Sequence, residues 1–121
     1  TEGDEYMTLA ITPTDAANKL QIDVVFFGVS SLANWLTVAL FQDATASALA
    51  AFTNYQNTGG GGNVSRFSHT MVAGASSATT FKVRAGRDAS AAGTVTFNGT
   101  GGARLFGGVL ASSITITEYV P

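Results

Sequence analysis

His69 is the only histidine in this chain of 121 residues, and no cysteine accompanies it. A histidine works as a general base when a nucleophile and an orienting acid stand beside it. In the run Phe67-Ser-His-Thr-Met71 it alternates with apolar residues, so Phe67, His69 and Met71 share one strand face. That placement describes a core or interface histidine with one ring nitrogen hydrogen-bonded. With one histidine and no thiolate, a zinc site lacks its ligands. The eight carboxylates are Glu2, Asp4, Glu5, Asp15, Asp23, Asp43, Asp88 and Glu118. A glycosidase pair must face each other about 5–10 Å apart across a cleft, and a domain of this size leaves little room for one. The spacing of an acidic calcium loop is absent. These acids read as solvated or hydrogen-bonded groups at strand ends.

Gly59–Gly62 resembles a phosphate-binding loop only in composition. It lacks the Gly-Lys-Ser/Thr ending and the helix that would follow, so it reads as a mobile loop tip. Asn63-Val-Ser65 and Asn98-Gly-Thr100 match the glycosylation pattern, which a chain rich in Ser and Thr produces by chance. No residue is assigned a catalytic or metal-binding role, and no cofactor is expected. The reading is a non-enzymatic binding or assembly module.

Composition narrows the partners. Charged residues make up 12% of the chain, about half the usual share. Net charge is −2 and the six Lys and Arg are scattered, which argues against nucleic acid. The longest apolar run, Val24–Val29, is far short of a spanning helix, so no membrane insertion is expected. The chain begins at Thr1 without an initiator Met, which suggests a piece of a longer polypeptide.

The elements that must position any site are strands. Alternation of apolar and polar residues predicts Asp4–Ile11, Lys19–Phe27, Trp35–Gln42, Ala48–Tyr55, Val64–Ala73, Thr79–Ala85, Thr94–Asn98 and Ser113–Tyr119. Ala103–Val109 is a possible ninth, and Asn98-Gly99 reads as a tight turn. Ala44–Ala51 has helix propensity, but Leu49 and Phe52 lack a longer helical period, so a hairpin is expected there. The fold class is all-β: one domain over 1–121, an antiparallel two-sheet sandwich, jelly-roll-like, of eight or nine strands.

Lys19–Phe27 and Trp35–Gln42 are apolar on both faces. In a sandwich only one face meets the core, and an identical subunit is the simplest cover for the other. A homotrimer is therefore expected, with Phe27, Phe41 and Tyr119 at the interface. Strand counting gathers Gly28–Asn34, Asn57–Asn63, Arg87–Gly93 and both termini at one end. Thr12–Asn18, Asp43–Ser47, Gly74–Ala78 and Asn98–Gly102 fall at the other. The first end offers Asn34, Trp35, Tyr55, Asn57, Asn63, Arg87 and Asp88: planar amides, a charged fork and aromatic rings suited to sugar hydroxyls and ring faces.

An ordered series of motifs carries a family resemblance. It runs from Leu9-Ala-Ile-Thr-Pro-Thr-Asp-Ala-Ala-Asn-Lys-Leu20 through Thr37-Val-Ala-Leu-Phe-Gln-Asp43 and Thr80-Phe-Lys-Val-Arg-Ala-Gly86. It closes with Ala103-Arg-Leu-Phe-Gly-Gly-Val109 and Ser113-Ile-Thr-Ile-Thr-Glu118. The series resembles small domains in tail-fibre and other virion structural proteins of tailed bacteriophages. Those domains look like trimeric jelly-roll heads of the C1q and tumour-necrosis-factor type. The resemblance implies a virion location, on a tail fibre or the capsid surface, in a C-terminal module of a longer fibre-type chain. It also implies other virion proteins and a host-surface glycan or receptor as partners. A capsid decoration or fibre bead with no ligand is the alternative. The family supplies no catalytic residues.

Overall fold

A computed structural model describes residues 3–88 and 93–121. The strands are β1 (Asp4–Ile11), β2 (Lys19–Ser30), β3 (Asn34–Gln42), β4 (Ala50–Gln56), β5 (Gly62–Val72) and β6 (Thr79–Arg87). They continue with β7 (Val95–Phe97), β8 (Gly99–Thr100), β9 (Ala103–Arg104) and, after a 3-10 turn at Phe106–Gly108, β10 (Ser113–Tyr119). One sheet has the order β1-β6-β3-β4 and the other β10-β2-β5, with β7 also on β2; β8 and β9 form a small ladder of their own. The ladders are antiparallel. The chain changes sheet after β1, β2, β4, β5 and β6, which is the antiparallel, jelly-roll-like sandwich that the alternation predicts.

The core follows from parity. Leu20, Ile22, Val24 and Phe26 of β2 meet Leu36, Val38 and Leu40 of β3 and Phe81, Val83 and Ala85 of β6, with Phe67 from β5. β2, β3 and β6 each have a strand on both sides, so their inward residues are sealed; Phe26 and Phe81 are fully buried. Each such ring stabilises the fold by about 1.5–3 kcal/mol. The edge strand β1 carries a register irregularity between Glu5 and Met7, and such a bulge re-aims a side chain. Tyr6 packs there against Phe26 at 5.4 Å and Phe97 at 5.2 Å. Burial, with Asp4 nearby, holds its phenol above the ordinary range.

The last part of the chain departs from expectation. β7 pairs with β2 from Ser30 to Gly28, and β10 pairs along the same strand from Val25 to Lys19. The two are one edge strand, interrupted by an excursion through residues 98–112. At the break the Asn98 backbone N–H donates to the Phe27 carbonyl at 3.1 Å. The Phe27 N–H, left without a ladder partner, donates to the Ser112 hydroxyl at 2.9 Å. Ser112 in turn donates to Asn98 Oδ1 through its backbone N–H at 2.9 Å and its hydroxyl at 2.6 Å. Side chains thus stand in for the missing rungs.

Asn98 holds φ at 58°, a left-handed conformation that Asn tolerates better than most residues. Asn98-Gly99 is not the tight turn. That turn is Gly101-Gly102, with φ of 59° and 81°, as a two-residue hairpin requires. Gly99 instead begins β8, where a Cβ would fall 1.8 Å from the Ala103 carbonyl oxygen. The possible ninth strand Ala103–Val109 is cut to Ala103–Arg104, which pairs with β8 before the chain turns at Phe106.

The interruption also corrects the placement of the termini. β10 restarts in the direction of β7, so the C-terminus leaves beside Lys19. That is the end opposite to Asp4, and the 98–102 segment leaves the edge of β2 at Phe27, nearer Ser30 than Lys19, with Gly101 and Gly102 beside a hollow that Ser31 and Gly60 also line.

Candidate binding face at the loop end

The register places three connections at one end as expected: 31–33, 57–61 and the segment after Arg87. Residues 89–92 of that last connection lie outside the described residues. The residues singled out from the sequence divide there into two groups, and parity is the reason.

Asn34 shares parity with Leu36, Val38 and Leu40 and so faces inward, with only 4% of its surface exposed. Beside it in register is Gln56 of β4, which is also buried. The Gln56 amide accepts from the Ser30 N–H at 3.1 Å and donates to the Ser30 carbonyl at 2.6 Å. It also donates to the Thr58 carbonyl at 3.1 Å and accepts from Asn63 Nδ2 at 3.3 Å. Ser30, Gln56 and Asn63 therefore form a neutral polar plug that closes the sandwich. Both amide atoms of Asn34 are buried without a hydrogen-bond partner among the described residues. Asn34 presents no amide outward, and Asn63, half-buried, commits its Nδ2 to Gln56.

Trp35 and Tyr55 have the opposite parity. They are register partners on the outer face of the β1-β6-β3-β4 sheet, with ring centroids 5.2 Å apart at 62°. Trp35 is 45% exposed and Tyr55 51%. Behind them the Thr37 hydroxyl donates to that of Thr53 at 2.9 Å. Asp88 fixes the Trp35 backbone: its carboxylate accepts from the Trp35 N–H at 3.1 Å, and its own N–H donates to the Trp35 carbonyl at 3.2 Å. This adds a rung to the β3–β6 ladder beyond Arg87. The Arg87 guanidinium donates to the Gly93 carbonyl at 3.2 Å. Thr37, Ala39, Arg84 and Asp88 line a hollow of about 680 Å³ that begins next to the aromatic pair. Asn57 is exposed on the neighbouring loop.

The structure thus brings Trp35, Tyr55 and Asp88 together and turns Asn34 and Asn63 away. Gln56 and Ser30 were missed. The signal was available, since Gln56 continues the inward series of Phe52 and Asn54.

His69 lies half-buried on the inner side of β5 opposite Ile22. It shares that side with Phe67, and its ring makes no hydrogen bond among the described residues, contrary to the one expected, because its strand face is apolar. No group of three or more potential metal ligands occurs among the described residues.

The residues expected at a subunit interface have different surroundings. Phe41 is buried within the single chain. Phe27 is half-buried over Gly62, whose missing Cβ leaves room for the ring; an added Cβ would come within 2.9 Å of it. Tyr119 is exposed beside Gln21. The outer side of β2 is also more polar than two-faced: Gln21 and Ser68 both donate to Asp23, the latter at 2.5 Å.

No protein-family model matches the chain, and a search of curated proteins returns no match.

Proposed function

We infer that this chain is a non-enzymatic attachment module that binds glycan on a host surface through the Trp35–Tyr55 face, as a homotrimeric head of a bacteriophage fibre or spike. The observation that carries the glycan reading is the exposed aromatic pair, with a hollow of mixed polar and apolar walls further along the same face from Thr37. Pyranose rings stack their C–H faces on such rings while hydroxyls and carboxylates take the sugar hydroxyls. The virion setting and the trimer rest on the motif series described above. Three weak sites on one axis would bind with avidity.

The test is adsorption of the purified module to host cells and to a glycan array. Trp35→Ala and Tyr55→Ala should each weaken binding about tenfold or more while thermal unfolding stays near that of the parent, as removal of an exposed aromatic anchor does. Unchanged binding by both folded variants would overturn the site. Absence of any glycan or cell binding by the parent would leave the chain a capsid decoration or fibre bead.

A further inference from the structure

Asn-Gly occurs once in the chain, at Asn98-Gly99, and this dipeptide has a chemistry of its own. The backbone nitrogen that follows an asparagine can attack the side-chain carbonyl carbon. A five-membered succinimide forms, the C–N bond of the amide breaks, and the backbone nitrogen's proton leaves with the amide nitrogen as ammonia. Water then adds to one of the two ring carbonyls. One opening gives aspartate; the other gives isoaspartate, whose main chain runs through the former side chain and is one carbon longer. Glycine favours the first step because it has no Cβ to obstruct closure and its backbone turns freely.

In the folded chain that step is blocked. The Gly99 nitrogen can reach Asn98 Cγ only when it eclipses Cβ about the Cα–C bond. Asn98 holds φ at 58°, in the left-handed well where ψ is about +30 to +60°. Such a ψ puts the Gly99 nitrogen on the side opposite Cβ. The side chain is committed too, because Oδ1 accepts from the Ser112 N–H at 2.9 Å and from its hydroxyl at 2.6 Å. The main chain is pinned on both sides of the peptide: the Asn98 N–H donates to the Phe27 carbonyl at 3.1 Å, and the Asn98 carbonyl accepts from the Leu105 N–H at 3.2 Å.

We propose that Asn98-Gly99 is a gated modification site, inert while Asn98 and Ser112 are clasped and converted to isoaspartate when the edge opens. Opening is easiest in segments held by few backbone bonds, and β7 has three residues while β8 and β9 have two each. Reclosing does not reverse the reaction. The carboxylate of isoaspartate sits directly on Cα, one carbon short of Ser112, and the longer main chain shifts the Gly99–Arg104 register. The excursion 98–112, with Arg104 exposed on it, then stays loose.

The test incubates the folded chain, and the same chain unfolded in concentrated urea, at mildly alkaline pH. Peptide mapping by mass spectrometry and chromatography follows both products at residue 98. The folded chain should convert slower by about tenfold or more, because its rate is the unfolded rate multiplied by the open fraction. Ser112→Ala removes the hydroxyl that bonds Asn98 and Phe27, lies outside the core, and should convert faster than the parent. Sub-denaturing urea makes the same test on the parent alone: conversion should rise in step with hydrogen exchange at the Asn98 N–H. Refolded isoaspartate protein should be cut by trypsin after Arg104 faster than the parent, as a loosened segment is. A folded parent that converts at the unfolded rate would overturn the gate. Conversion that ignores both the Ser112→Ala substitution and the opening seen by exchange would overturn the clasp as its cause. A refolded product as resistant to trypsin as the parent would overturn the lasting release. Circular dichroism and thermal unfolding establish that Ser112→Ala is folded.

Discussion

The two ends of the sandwich are closed by different chemistry. At the loop end, neutral groups do it from inside: Gln56 bonds to the Ser30 backbone and to Asn63, the Ser30 hydroxyl accepts from the Leu32 N–H, and Ser30 and Gln56 are buried. At the opposite end, carboxylates do it from the surface. Glu118 accepts from the Thr14 N–H and hydroxyl and from Asn18 Nδ2, tying the 12–18 turn to β10. Asp43 accepts from the Thr79 hydroxyl and the Thr80 N–H, tying the β3–β4 turn to β6. A buried neutral bond is insensitive to pH and costly to break, because a lone partner inside finds no water. An exposed carboxylate clamp costs little to lose and depends on its proton.

The largest effect is expected at the plug. Gln56→Leu strands the Ser30 N–H, while the Ser30 carbonyl keeps the Gly60 N–H, and chemical denaturation should register a loss of about 3 kcal/mol at neutral pH and at pH 4 alike, the upper end of the scale for one orphaned buried group. A loss that varied with pH would break the contrast between the ends.

Next comes the clasp on the edge strand, which uses the same neutral chemistry. Asn98→Ala removes the acceptor of Ser112 and puts alanine at a left-handed φ, at a cost of about 2 kcal/mol. Asn98→Gly keeps the backbone and should cost less, so the difference between the two isolates the conformational part.

Smaller again is the acid response of the far end. Hydrogen bonds from Asn18 and Thr14 hold the Glu118 carboxyl below its usual range. Bonds from Thr80 and Thr79 do the same for Asp43. Each group therefore binds its proton more weakly folded than unfolded. Its contribution to stability is whole above the unfolded value, near 4.5 for Glu118 and 3.8 for Asp43, and drains as pH falls through the lower folded values. Glu118→Gln and Asp43→Asn should each flatten the stability profile between about pH 5 and 2, measured by denaturant midpoints. A profile as steep as the parent's would show that other acids carry the response.

The smallest change, and of opposite sign, belongs to Asn34. Its amide is already buried without partners among the described residues, so Asn34→Leu should be neutral or stabilise by up to about 1 kcal/mol. A substantial loss would mean that the plug includes Asn34 after all.

Much of this architecture is legible in the chain. The alternation in Leu20, Ile22, Val24 and Phe26 gives both the strand and its buried side, and the same parity separates Asn34 from Trp35 once β3 is known to bury Leu36. What alternation does not carry is pairing. Nothing local says that Val95–Phe97 and Ser113–Tyr119 share one edge of β2, because that depends on a contact between Asn98 and Ser112 across the excursion. The short strands hid for the same reason: Gly99-Thr100 and Ala103-Arg104 have no period of their own. The aromatic site was half legible. Trp35 and Tyr55 stood out by type, but their adjacency is a product of register.

The clasp at Asn98 and Ser112 makes the edge strand a port for inserted sequence. Its two stubs meet at a fixed spacing, and both sheets are complete without whatever lies between them. Closure cost grows only with the logarithm of length, so replacements longer or shorter than the present excursion should fit the same framework. A lineage under pressure to change what it touches could exchange that segment wholesale and leave every core residue as it is.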